Sequence, residues 1–279
     1  MQFLLKEKPD RKGLVWLKDE DYHYLVHVRR LKPGSVFDAV LPSNSSTQSC
    51  AQCVTVTVNS IDNHILTGSV TPKNSPEPGN LAVPPIVLFQ ALPKGTKMDL
   101  IVRQAAEGGL SEVVPFVSEH SVPKDQAGRE ERWRRIVKEA RQQSGSTVDT
   151  RIQKLLTKDE LFAYWERLQT ETFALGLIFS PLIDGGVRNS ESAKRLILNR
   201  PLAQGSFHHY LYKKPSLVVL AVGPEGGFSG AELKCFTDRN FKLLSLGNTI
   251  LRTETAALYG SAAVNIILME KKWWTLKQQ

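Results

Sequence analysis

The sequence predicts an α/β protein built on a parallel sheet, preceded by a small, mostly β segment. Three observations carry this. After residue 85, short apolar runs alternate with amphipathic stretches of helical period, the pattern of a parallel sheet with helical crossovers. Before residue 71 the clearest signal has period two, in Cys53–Val58 (CVTVTV), a strand with one face on a core. Between the two, residues 71–85 (TPKNSPEPGNLAVPP) hold five prolines and no apolar periodicity, which reads as a linker.

In the first segment, His23–Arg30 (HYLVHVRR) reads as a short helix, Pro33-Gly34 and Pro42–Ser49 as turns or loops, and His64–Val70 as a second strand. About 70 residues with little helix fit a small barrel. In the second segment, Pro85–Leu92 is a buried strand halted by Pro93-Lys94-Gly95. A helix follows with Met98, Ile101, Val102 and Ala105 on one face, and Gly108-Gly109 ends it. Val113–Val117 is the next strand. Glu130–Ser144 is amphipathic, with Trp133, Ile136, Val137 and Ala140 in one stripe. Thr157 and Glu160 form a capping box before a helix carrying Leu161, Trp165 and Leu168; Ser229 and Glu232 form another. Phe173–Phe179 and Leu217–Val222 read as strands covered on both faces, Leu243–Leu246 as a further strand, and Thr253–Met269 as a long helix that is apolar on most sides.

Composition narrows the functional classes. The chain has 279 residues, 41% hydrophobic and 23% charged, enough for an ordinary core and unlike a disordered or fibrous protein. Its longest apolar runs fall short of the ~20 residues of a membrane span. The N-terminus meets charge and proline too early for a secretory signal, and three cysteines make no disulfide framework, so a reducing cytoplasmic compartment is expected. Net charge is +8. Residues 1–80 hold 9 basic and 8 acidic side chains, which leaves +7 for the remainder. That balance favours an anionic partner such as nucleic acid without requiring one. No metal site is expected. Cys50 and Cys53 lack further ligands beyond Cys235, and the six histidines show no paired metal spacing.

Two loops stand out. Gly223–Glu232 (GPEGGFSGAE) lies between a buried strand and a capped helix, where ligands bind in open α/β sheets. It lacks the lysine of a phosphate loop, and its glycine spacing does not match a dinucleotide fingerprint. Gly223, Gly226 and Gly227 suit either a tight strand-to-helix turn or the close approach of a ligand to backbone. Glu225 would repel a phosphate and suit a cationic ligand. Leu246–Leu258 (LGNTILRTETAAL) also follows a strand and enters a helix. Thr253 could cap that helix, with Glu254 complementing its positive end, or the polar group Arg252–Thr255 could face a shared pocket. A third feature is the basic face Arg129, Arg132, Arg134, Arg135, Lys138 and Arg141. Glu130, Glu131 and Glu139 are interleaved with it, which favours a solvated, salt-bridged surface over a phosphate track.

GPEGGFSGAE followed by LGNTILRTETAA resembles the ribosomal RNA small subunit methyltransferase E family, SPOUT-class enzymes that use S-adenosylmethionine. The likeness extends to ALPKGTKMDLIVRQAAEGGLSEVVPFVSEHS, to ERWRRIVKEARQQSG and to the N-terminal HYLVHVRRLKPG. The resemblance implies a PUA-like, RNA-binding β-barrel over residues 1–72. It also implies a SPOUT methyltransferase domain over residues 82–279, with a parallel sheet, a C-terminal trefoil knot and the S-adenosylmethionine site. A homodimer acting on N3 of one uridine of 16S rRNA in the assembled 30S subunit is implied as well. Two other readings remain: a SPOUT methyltransferase acting on tRNA or 23S rRNA, and a non-catalytic ribosome-assembly factor that keeps the fold.

Residue by residue, the resemblance assigns cofactor binding to Gly223, Pro224, Glu225, Gly226, Gly227, Leu246, Gly247, Leu251 and Thr253, and RNA contact to Arg30. It implies Arg252 and Glu254 as catalytic. Arg252 would stabilise the charge developing on the base or hold the target phosphate, while Glu254, Glu225 or solvent would take the proton. The chain departs from the family's pattern at Asn248 and at three middle positions. Gln104 stands for a usual Lys, while His120 and Ser146 each stand for a usual Arg. The three middle changes remove fixed positive charge, which implies altered or weaker RNA binding.

Overall fold

The computed structural model describes residues 3–42, 52–73, 83–121, 128–180, 207–212, 215–247 and 249–275, with side chains through residue 270. Asn248, Cys50 and most of the proline-rich stretch lie outside these residues. The chain divides into two compact units, Met1–Asn80 with Lys138–Asp149, and Leu81–Val137 with Thr150–Gln279.

The first unit is a five-stranded sheet in the order β1-β3-β4-β5-β2. Its strands are β1 (Phe3–Leu4), β2 (Leu14–Leu17), β3 (Val36–Val40), β4 (Cys53–Asp62) and β5 (Ile65–Pro72). The alternation seen in the sequence is the packing pattern. Val54, Val56 and Val58 are buried, and they share one core with Phe3, Val15, Leu17, Phe37 and Leu66 from the other four strands. β4 and β5 form a hairpin whose two turn residues, Asn63 and His64, both have positive φ (48° and 59°), the geometry that matches the twist of paired strands. The helix expected over His23–Arg30 is present in another form. A short α1 (Asp19–Tyr22) runs into a π-helical turn, His23–Val28, in which the Arg29 N–H reaches back five residues to the Tyr24 carbonyl. The wider turn sets Leu25 fully into the core.

The second unit holds a six-stranded sheet in the order β11-β9-β10-β6-β7-β8, every neighbouring pair parallel. Its strands are β6 (Ile86–Ala91), β7 (Glu112–Phe116), β8 (Arg151–Ile152), β9 (Ala174–Phe179), β10 (Leu217–Val222) and β11 (Lys242–Leu244). Between and after them run α2 (Lys97–Glu107), α3 (Arg129–Ser144, whose residues from Lys138 on belong to the first unit), α4 (Lys158–Glu171), α5 (Phe207–Leu211), α6 (Gly230–Asp238) and α7 (Thr253–Thr275). β6 and β10 are buried along their whole length, as strands covered on both faces must be. The predicted faces are the buried ones: Met98, Ile101, Val102 and Ala105 on α2, and Leu161 and Trp165 on α4. Both capping boxes form, with Thr157 and Ser229 each accepting from the N–H three residues on. On α3, Arg134 pairs with Glu130 and Arg135 with Glu131 one turn apart, and Arg132 pairs with Asp99, so this part of the basic face is a salt-bridged surface, whereas Arg141 is buried and pairs with Asp149. Two corrections concern β11 and Thr253. The strand starts one residue earlier than expected and ends at Leu244, which releases Ser245 and Leu246 from the sheet. Thr253 is the first residue of α7, and its hydroxyl is used elsewhere.

Candidate functional site

At the carboxyl ends of β9, β10 and β11, two loops face each other across a cleft of about 830 Å³, within the size range of small-molecule sites. One wall is Gly223–Phe228 after β10. The other is Ser245, Leu246 and Thr249–Thr253 after β11. Phe179, Ser180, Val222, Lys97 and Ala256 complete the described lining. This is where an open parallel sheet places its ligands.

The glycine loop is a closed turn. The Gly227 N–H donates to the Pro224 carbonyl at 2.9 Å, and Gly227 has φ +68°, a conformation side chains rarely adopt. Glu225 is not free in the cleft. Its carboxylate pairs with the Lys97 ammonium at 2.6 Å and accepts the Lys94 N–H at 3.1 Å. Burial pushes its pKa up, but Lys97 and the backbone donors outweigh burial and hold it below the ordinary carboxylate value. The acidity expected from the sequence is therefore largely compensated within the protein.

Thr253 joins the two loops. Its hydroxyl donates to the Gly223 carbonyl at 2.6 Å and accepts from the Gln90 amide at 3.0 Å. All three groups lie in the interior, and Gln90, at the end of β6, is fully buried. Thr253 thus ties β6, the turn after β10 and the start of α7 into one junction. Glu232, also buried, does comparable work on the far side of the glycine loop. One carboxylate oxygen accepts the Ser229 N–H at 2.9 Å, and the other accepts the Glu119 N–H at 3.0 Å. His120 follows immediately, and its Nδ1 lies 2.9 Å from the Gly227 carbonyl.

Among the residues singled out in the sequence, Gly223, Pro224, Glu225, Gly226, Gly227, Leu246, Leu251, Arg252 and Thr253 all line the cleft. Gly247 and Glu254 are not part of that lining. Gly247 holds a φ of +134° in the turn beside it. Glu254 is half-buried in the first turn of α7, with Oε2 buried and without a hydrogen-bond partner among the described residues. Arg252 is exposed at the cleft. Arg30 is exposed in the first unit, where it leaves the π turn with φ +56°. Gln104 is half-buried on α2, and its amide oxygen is buried and has no partner among the described residues. Among the described residues no group of His, Cys, Asp and Glu is placed to hold a metal ion. Sequence reasoning missed Lys97, Gln90 and the use made of His120. Their partners lie 128, 163 and 107 residues away, and no local spacing signals such pairings.

A model of the RNA methyltransferase domain matches residues 80–265. This chain belongs to that RNA methyltransferase family. It is 27% identical over 266 residues to the ribosomal RNA small subunit methyltransferase E of Bacillus subtilis, spanning 94% of this chain and 93% of that one. It is 31% identical over 186 residues to the Synechocystis protein of the same name, spanning 66% of this chain and 54% of that one. A crystal structure of the Neisseria gonorrhoeae ribosomal RNA small subunit methyltransferase E, bound to S-adenosyl methionine, superposes with a TM-score of 0.68. The identity is 23%, with coverage of 95% of this chain and 97% of that one. That likeness establishes a shared α/β fold.

Proposed function

We propose that this RNA methyltransferase uses S-adenosylmethionine to methylate N3 of one uridine of 16S rRNA in the assembled 30S subunit. The observation that carries the reading is the cleft itself: two loops separated in the chain by α6 and β11 meet at the strand ends and are locked together by Thr253. The curated relatives bearing the small-subunit methyltransferase name support the RNA class. The cleft fits the cofactor by size and by chemistry, with a glycine turn that lets a ligand approach backbone and apolar side chains from Phe179, Leu246, Ile250 and Leu251. When bound there, S-adenosylmethionine supplies an electrophilic methyl group on a sulfonium.

The chain's own residues then have three tasks. Gly223–Gly227, Leu246, Leu251 and Thr253 hold and orient the cofactor so that the acceptor nitrogen can reach near-attack distance, ~3–3.5 Å. The uridine must leave its pairing partner to enter the cleft. Arg252, exposed at the rim, stabilises the charge that develops at the base as N3 loses its proton. With Glu225 committed to Lys97 and Glu254 off the described lining, solvent takes that proton.

The first unit acts as a PUA-like barrel that contacts RNA through Arg30, in keeping with its five strands around one core. The C-terminal segment is knotted. In support, β11 lies at the sheet edge beyond β9, yet α7 packs back on β10, β6 and α2. The enzyme works in the cytoplasm as a homodimer. Labelled S-adenosylmethionine offered with unmethylated 30S subunits, naked 16S rRNA and tRNA tests the substrate. Label in the 30S subunit is expected, and label in tRNA alone overturns the assignment. Arg252→Ala should lower methyl transfer roughly 100-fold while moving cofactor affinity little. An equal fall in both makes Arg252 a binding residue.

A further inference from the structure

The segment Ser118–Ser121 is fastened at two points. The Ser121 hydroxyl donates to the Leu92 carbonyl at 3.0 Å, and the Glu119 N–H donates to buried Glu232 at 3.0 Å. Between these anchors sits His120. Its Nδ1 is 2.9 Å from the Gly227 carbonyl oxygen. A carbonyl oxygen only accepts, so Nδ1 carries the proton and donates. The ring also lies against the neighbouring glycine. A Cβ at Gly226 would stand 2.9 Å from the His120 Cβ and 3.1 Å from its Cγ, closer than a side chain tolerates. Position 226 thus has to be bare for the imidazole to take its seat.

We propose that His120 is a positioning residue that fixes the Gly223–Gly227 turn in its ligand-holding shape, a role distinct from the RNA contact that its sequence position suggests. The inference rests on the proposed reading of the cleft as the cofactor site. Gly227 has positive φ, and its carbonyl direction sets the direction of the amide that follows it. Fixing that carbonyl from outside the cleft holds the wall in place without spending any group that faces the ligand. The adjoining bond from Thr253 to the Gly223 carbonyl fixes the other end of the same turn. The turn is therefore held by side chains at both ends, one from α7 and one from the loop after β7.

The test uses the full-length chain and S-adenosylmethionine titrated by calorimetry. Asn places its Nδ2 donor where the imidazole has Nδ1, whereas Gln carries its donor farther out. His120→Ala and His120→Gln should weaken binding roughly 3- to 10-fold, the value of one hydrogen bond, and His120→Asn should restore it. Gly226→Ala should weaken binding similarly. The double variant Gly226→Ala with His120→Ala should lose little more than either alone, because both remove the same seat. Nitrogen-15 spectra should place the neutral His120 proton on Nδ1. Equal affinity in wild type and His120→Ala, equal losses in the Ala, Gln and Asn variants, or a proton on Nε2 each overturns the inference. Loss of RNA binding with unchanged cofactor affinity does so too, and returns His120 to the RNA surface. If the wild-type chain itself binds no S-adenosylmethionine, the functional reading fails, a result separable from the failure of His120 alone.

Discussion

The Glu225 carboxylate stands at the cleft with its charge already paired. Its charge suggested a partner for a cationic ligand, but the structure gives that charge to Lys97 and to the backbone of Lys94. Its pKa therefore lies below the ordinary value, despite the opposing effect of burial. The sign of the consequence follows from linkage. A carboxyl with a lowered folded-state value contributes stability that is fully present above its unfolded value, ~4.3, and that disappears as the pH falls through the folded value. Glu225→Gln should therefore be less stable than wild type at pH 7, and the gap should close on acidification below pH ~4. Urea midpoints for both proteins across this range measure it; a gap that stays constant would show that Lys97 and Glu225 contribute nothing through charge. Thr253 likewise depends on a distant partner: its hydroxyl, a candidate helix cap by position, donates to the Gly223 carbonyl thirty residues away. The type of residue needed at a loop-to-helix junction was legible in the sequence, whereas its partner depends on the sheet order, which residue spacing does not encode.

Among the elements, α7 carries an internal glycine that a helix would ordinarily disfavour by ~1 kcal/mol relative to Ala. Packing accounts for it. A Cβ at Gly260 would stand 2.3 Å and 2.6 Å from ring atoms of Phe179, a residue of the cleft lining. Gly260→Ala should therefore destabilise the protein despite its better helix propensity, by about 1–2 kcal/mol, since overpacking a core costs ~1–3 kcal/mol. It should also weaken ligand binding by displacing Phe179. Chemical denaturation and calorimetry measure the two effects, and a more stable variant would show that Phe179 yields freely. The elements that were readable are those governed by local chemistry: the capping boxes of α4 and α6, the alternating β4, and the apolar runs of β9 and β10. Those that were not readable are set by partners distant in sequence. β1 and β8 are two residues long and exist through pairing with β3 and β7. The π turn at His23–Val28 differs from an α turn by one residue of registry, and apolar periodicity over six residues does not resolve that.

For the whole molecule, the decisive surface is the outer face of α7. Leu258, Tyr259, Ile266 and Met269 are all exposed in the isolated chain, at 42–60% of their full accessibility, and Ile250 in the loop before the helix is 58% exposed. At about 100° per residue, the four helical positions fall within a single arc of roughly 100°, so they form a stripe rather than scattered exceptions. A contiguous apolar stripe beside a ligand cleft is the kind of surface soluble chains cover by association. A two-fold homodimer does this with one self-complementary patch. Because Ile250 belongs both to the exposed set and to the cleft lining, pairing through this face would bring the second protomer to the rim of the site. The wild-type chain is therefore expected to sediment at about twice its 31.2 kDa. Ile266→Lys places a charge in the stripe and should give a folded monomer, with unfolding by circular dichroism close to wild type at equal occupancy of monomer. Cofactor affinity should fall in that monomer if the partner helps close the rim. A wild-type chain that stays monomeric at micromolar concentration would remove the dimer from the functional model, leaving the cleft as a site built by one chain.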